Sequence, residues 1–121
     1  MNKLKVASLL VALMTPLVAK ALPVTYDCTY TKYSDEKGLH NFTESLTPKY
    51  VWDKVKKTAY LIGNIGTEEV TAIEGVNLVT FIEVTAVGNV MTTAINSKGV
   101  SVHSRNTQGM PSQSYGTCTV K

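Results

Sequence analysis

The sequence predicts an all-β domain, a small antiparallel meander barrel closed by one disulfide, with a two-sheet β-sandwich as the alternative. Three observations carry that expectation. Short runs of alternating apolar and polar residues fill the chain from Val24 to Val120 and are separated by Gly- and Asn-containing turn signals. No window after residue 21 keeps a helical period. The two cysteines, Cys28 and Cys118, lie near the two ends of that stretch.

Taken in order, Val24 to Tyr30 alternates, with Val24, Tyr26, Cys28 and Tyr30 on one face and Thr25, Asp27 and Thr29 on the other. Tyr33 to His40 is polar, contains Gly38 and reads as a loop. Asn41 to Leu46 reads as a short strand ended by Pro48. Tyr50 to Asp53 is the next strand, and Lys54 to Lys57 reads as a solvated turn. Further strands are expected over Thr58 to Ile65, Val70 to Ile73, Val76 to Val87, Val90 to Ile95, Val100 to Arg105 and Ser114 to Val120. Turns are expected at Gly66-Thr67, Glu74-Gly75, Gly88-Asn89 and Asn96 to Gly99.

Two of these turns imply a register. If Gly88-Asn89 is a two-residue hairpin and Ser97-Lys98 centres the next, Val84 faces Thr93, Ile82 faces Ile95, and Thr93 faces Val102. Ile82, Val84, Met91, Ile95, Val100 and Val102 then share the core face. Glu83, Ser101, His103 and Arg105 share the opposite face, which is exposed or lines a groove.

The first 21 residues have the layout of a cleaved signal peptide: Lys3 and Lys5, an apolar run from Val6 to Val18, and the small-residue site Ala19-Lys20-Ala21. The expected organisation is therefore a signal over 1–21 and one domain over 22–121, exported to the periplasm of a bacterium or secreted. In an oxidising compartment two cysteines and no others imply one disulfide, Cys28 to Cys118. The three leader lysines account for the whole excess of 12 basic over 9 acidic residues. The domain itself is formally neutral and has no basic stripe, so no nucleic-acid partner is expected, nor a membrane anchor once the signal is gone.

Catalytic signatures are absent: no Gly-x-Ser-x-Gly elbow, no phosphate-binding glycine loop and no paired-histidine motif occurs. No metal or cofactor is expected. The segment that departs most from plain scaffold runs from Val102 to Cys118. Arg105 is the only arginine in the chain, and its planar fork binds carboxylate or phosphate two donors at a time. The other reading of Arg105 is a structural pair with Glu83 or a clamp on the Gln108 to Ser112 carbonyls. Glu83, His103, Arg105, Gln113 and Tyr115 form the candidate binding set. The expected partner is an envelope or secreted protein, and the expected role is binding or inhibition without catalysis. Alternatives are a structural or assembly role, which calls for Tyr50 or Trp52 on an exposed patch, and a hydrolase of unrecognised type.

The stretch Phe81-Ile82-Glu83, Gly88-Asn89-Val90, Val102-His103-Ser104-Arg105, Pro111-Ser112-Gln113, Tyr115-Gly116 and Cys118 resembles a pattern in small exported bacterial proteins of unknown function. Tyr26-Asp27-Cys28 together with the late Cys118 is similar in outline to the membrane-bound C-type lysozyme inhibitors. That resemblance implies a small periplasmic β-barrel. The family's inhibitory loop, a serine-glycine segment leading to an aromatic, has no counterpart in this order of residues, so no inhibitory residue transfers.

Overall fold

The computed structural model describes residues 22–121; the expected signal peptide over 1–21 lies outside the described residues. Nine strands form one antiparallel sheet: β1 (Val24–Asp35), β2 (Gly38–Leu46), β3 (Lys49–Asp53), β4 (Thr58–Gly63), β5 (Gly66–Gly75), β6 (Leu78–Val84), β7 (Val90–Asn96), β8 (Val100–Asn106) and β9 (Ser112–Val120). Neighbours pair in chain order from β3 to β9, and β1 pairs with both β3 and β9. The sheet thus closes into an eight-stranded antiparallel barrel with β2 as an extra strand, as expected, and not into a sandwich. Closure leaves the eight barrel strands paired on both sides, which removes the edges that invite aggregation.

β1 is the hinge of this arrangement. Its first half pairs with β3 (Val24 opposite Trp52, Tyr26 opposite Tyr50), and its second half pairs with β2 (Tyr33 opposite His40, Asp35 opposite Gly38). The Tyr33–His40 segment expected as a loop is therefore the end of a long hairpin turning at Glu36-Lys37. Local side chains make the difference. Asp35 accepts from the Lys37 backbone N–H and bonds His40 Nε2, both at 2.9 Å, and Tyr33 packs on His40 and Phe42 at 4.9 and 4.7 Å between ring centres. The His40 contact, followed by the Lys37 amide, holds the Asp35 carboxyl below its usual range. At Thr31 the ladder is irregular, and Phe42 to Ser45 stand out of it on the β2 side.

Along the other side of β1, Cys28 lies directly opposite Cys118 and the two form a disulfide. Lys121 reaches Asp27 at 2.7 Å across the same seam, and Lys49 approaches it at 3.7 Å. The Lys121 hydrogen bond is the first cause of a lowered Asp27 pKa.

The core is an aromatic stack. Phe81 lies parallel to Tyr50 at 4.7 Å, with Trp52 and Tyr26 edge-on at 6.3 and 5.8 Å. Ala59, Val70, Val79, Ile95 and the disulfide complete it. Burying such side chains contributes about 1.5–3 kcal/mol each. Tyr50 and Trp52 are thus core, and neither supplies the exposed aromatic patch that an assembly role called for.

The hairpin registers differ from those expected. Thr93 faces Phe81, not Val84, and it faces His103, not Val102. The first turn is longer than two residues. Thr85 to Asn89 forms a loop closed by Thr85 N–H to the Asn89 carbonyl and Asn89 N–H to Thr85 Oγ1, with Gly88 at φ 86°. The second is a three-residue turn in which Gly99, at φ 84°, takes the left-handed position. Asn96 Oδ1 accepts from both the Lys98 and Val100 amides there. Both displacements are odd, so β6 and β8 turn over relative to β7. Val79, Phe81 and Glu83, with Ser101, His103 and Arg105, point inward; Ile82, Val84, Val100 and Val102 point outward.

Candidate functional site in the barrel mouth

The inverted register builds a layered interior on β6, β7 and β8. Val79, Ile95 and Ser101 form one cross-strand row; Phe81, Thr93 and His103 form the next; Glu83, Met91 and Arg105 form the outermost. The middle row is the floor of a barrel mouth, and the outer row is part of its wall.

Two tyrosines tie that floor down: Tyr50 reaches across the lumen, and Tyr30 reaches past β9 to β8. Tyr50 Oη lies 2.6 Å from Thr93 Oγ1, and Thr93 Oγ1 lies 2.7 Å from His103 Nδ1. β3 and β7 stand on opposite sides of the barrel, so this bond spans its diameter. Beside it, Tyr30 Oη lies 2.8 Å from Ser101 Oγ, which donates to the Ala94 carbonyl at 2.9 Å. Tyr30 and Tyr50 are 1 % and 2 % exposed, so each phenol requires its partner. Burial pushes the Tyr50 phenol up and out of the titratable range, and raises Tyr30 in the same direction.

The Thr93 hydroxyl thus joins Tyr50 to His103, and which group donates at each link follows the tautomer of the ring. Burial, followed by the nearby Arg105 charge, depresses the His103 pKa to about 4. The ring is neutral at physiological pH.

Above the floor lies a cavity of about 200 Å³. Its apolar wall includes Leu46, Pro48, Leu61 and Met91; Glu83, His103 and Arg105 line it too, as do the polar Thr47 and Asn64. A second recess of about 380 Å³ adjoins it through Leu46 and Arg105 and runs toward Tyr33, Phe42 and Met110. Register sets Glu83 and Arg105 two strands apart with Met91 between them, about 10 Å at the backbone. No ion pair within 4 Å joins them, and Arg105 makes no hydrogen bond among the described residues. Neither the Glu83 pair nor the carbonyl clamp considered for Arg105 forms.

Three of the five sequence-level candidates, Glu83, His103 and Arg105, thus meet in the mouth. Gln113 and Tyr115 do not. They sit on the outward side of β9, where Tyr115 Oη lies 2.9 Å from Ser34 Oγ and donates to Gln113 Oε1 at 3.1 Å. Tyr30, Tyr50, Leu61, Met91 and Thr93 belong to the site and were missed. The available signal was Thr93, a polar residue between the apolar Met91 and Ile95 on the inward side of β7.

The opposite mouth holds a larger cavity, about 480 Å³, lined in part by Trp52, Lys54, Glu74 and Lys98. It is the weaker candidate because Lys54 is already engaged. Its ammonium pairs with Glu74 at 3.1 Å and lies 4.7 Å above the Trp52 ring. Nor does either mouth contain an activated serine. Ser101 shares the inward side of β8 with His103, but its proton goes to the Ala94 carbonyl.

No family model, curated relative or solved structure matches this chain.

Proposed function

We propose that this chain is a binding or inhibitor-like protein of the periplasm or the secreted space that captures its ligand, without catalysis, in the mouth lined by Glu83, His103 and Arg105. One observation carries the reading: the only guanidinium in the chain borders an apolar cavity with no protein acceptor among the described residues. Such a group stands exposed at the mouth with its forked donors available to a ligand. The depressed pKa of His103 and the engagement of Ser101 support a non-catalytic role, because a base with a pKa of about 4 removes a proton poorly near neutrality. The disulfide supports an oxidising compartment. The barrel and the Tyr26-Asp27-Cys28 outline support a similarity of outline to the membrane-bound C-type lysozyme inhibitors.

Native mass spectrometry of the mature protein recovered from a bacterial periplasmic extract tests this. A non-covalent adduct is expected on the wild type and not on Arg105→Ala, whose melting temperature should match the wild type. If Arg105→Ala unfolds, the arginine is a structural element; if both variants carry the same adduct, the mouth is not the site.

A second reading, an assembly role, is favoured by the outer wall. Every outward residue from Leu78 to Val84, Val90 to Asn96, Val100 to Asn106 and Gln113 to Thr119 is uncharged. Leu78, Val84 and Val100 are 43 %, 66 % and 52 % exposed. A charge-free face complements a second copy of itself without repulsion. Four strands of seven residues cover roughly 440 Å² in projection, about half of what a stable partner buries. The expected dimer is therefore weak. Sedimentation should show concentration-dependent association that Ile82→Lys and Val102→Lys abolish. A monomer at all concentrations up to about 1 mM would remove this reading.

A further inference from the structure

We infer that the mouth selects a small zwitterion, and specifically a dipeptide with free termini, its carboxylate on Arg105 and its ammonium on Glu83. This rests on the proposed binding role of the mouth and names the ligand class.

The argument starts from the outer row. Glu83, Met91 and Arg105 are consecutive cross-strand partners on β6, β7 and β8. Opposite charges therefore flank an apolar thioether in one wall, with their backbones about 10 Å apart. Both side chains line the same cavity, yet they do not pair with each other. A ligand with a single anionic group would satisfy Arg105 but meet the Glu83 carboxylate in the same cavity. A single cation would meet Arg105. A molecule with both charges satisfies the two ends together, and an apolar middle rests on Met91 and Leu61.

Size narrows the class. A cavity of about 200 Å³ holds on the order of ten non-hydrogen atoms at interior packing density. An extended dipeptide of small residues has about that many atoms and spreads its terminal charges over roughly 6 Å. That separation fits between two side chains whose strands stand about 10 Å apart. A free amino acid brings its charges within roughly 3 Å and spans about a third of that strand separation. His103 adds direction. It sits two residues before Arg105 on the same inward side of β8, so the imidazole and the guanidinium mark the same end of the mouth.

Isothermal titration with alanyl-alanine, its C-terminal amide and its N-acetyl derivative tests the assignment. The free dipeptide is expected to bind, and each cap is expected to weaken binding at least tenfold. Arg105→Gln should remove the penalty of the amide but keep that of the acetyl cap. Glu83→Gln should do the reverse. Equal binding of capped and free peptides overturns the inference, as does tighter binding of octanoate or octylamine. Absence of dipeptide binding alongside a non-peptide adduct in native mass spectrometry overturns the ligand class but leaves the mouth as a binding site. No dipeptide binding and no adduct overturn both.

Discussion

The half-buried imidazole of His103 should dominate how stability responds to mild acid. Its pKa falls from 6.5 to about 4 on folding, first through burial and second through Arg105. The unfolded chain therefore binds a proton that the folded chain refuses between those two values. Stability from this group is complete above the unfolded pKa and declines as pH falls toward the folded one. Linkage gives a loss of about 2 kcal/mol at pH 5 and about 3 kcal/mol at pH 4, relative to neutral pH. Asp27 and Asp35, whose pKa values are lowered from 3.8, lose their contribution only at still lower pH, so the window above about pH 4 reports on the histidine. Urea unfolding of the wild type and of His103→Gln at pH 7, 5 and 4 is the assay. His103→Gln is expected to be less stable than the wild type at pH 7 but to flatten the pH dependence above pH 4. If its stability falls with pH as steeply as that of the wild type, the imidazole is not the group responsible and its half-buried, neutral state is wrong.

Three further outcomes are expected. Thr93→Val keeps the side-chain shape but strands the Tyr50 phenol and His103 Nδ1, and should cost about 2–4 kcal/mol in denaturant unfolding. Gly116→Ala should reduce the yield of folded protein sharply, because its Cβ would overlap the Thr29 carbonyl oxygen and lie 2.8 Å from Tyr30 Cα; unchanged stability by thermal melt would contradict the tight β1–β9 seam. Replacing both Cys28 and Cys118 with serine opens a cross-link spanning 90 residues, and should lower stability by about 4–5 kcal/mol in chemical denaturation.

Much of the architecture was legible because strand periodicity and turn residues are local. Val24 to Tyr30 and its inward set follow from alternation alone, and the cysteines at the chain ends foretold the seam. Other boundaries shifted for local reasons that composition hides. Tyr33 to Asp35 extends β1 because Asp35, His40 and Phe42 cap and pack the hairpin tip. Val76 to Val87 shortens to Leu78–Val84 because Thr85 and Asn89 bond to each other.

The sequence by itself determined an all-β chain and its closure by Cys28 and Cys118, and it singled out Glu83, His103 and Arg105 as candidates. Only the tertiary structure decided which way those three residues face. Apolar alternation argues for Ile82, Val84 and Val102 inside, and burial energy alone would agree. What tips the balance is non-local: Tyr50 reaches Thr93 across 43 residues, and Tyr30 reaches Ser101 across 71. Those partners satisfy a polar interior that no local pattern could show to be satisfied. The five-residue turn after β6 then places Glu83 at the rim, and the three-residue turn after β7 places Arg105 there. The site is a product of register, and register is fixed by contacts between strands far apart in the chain.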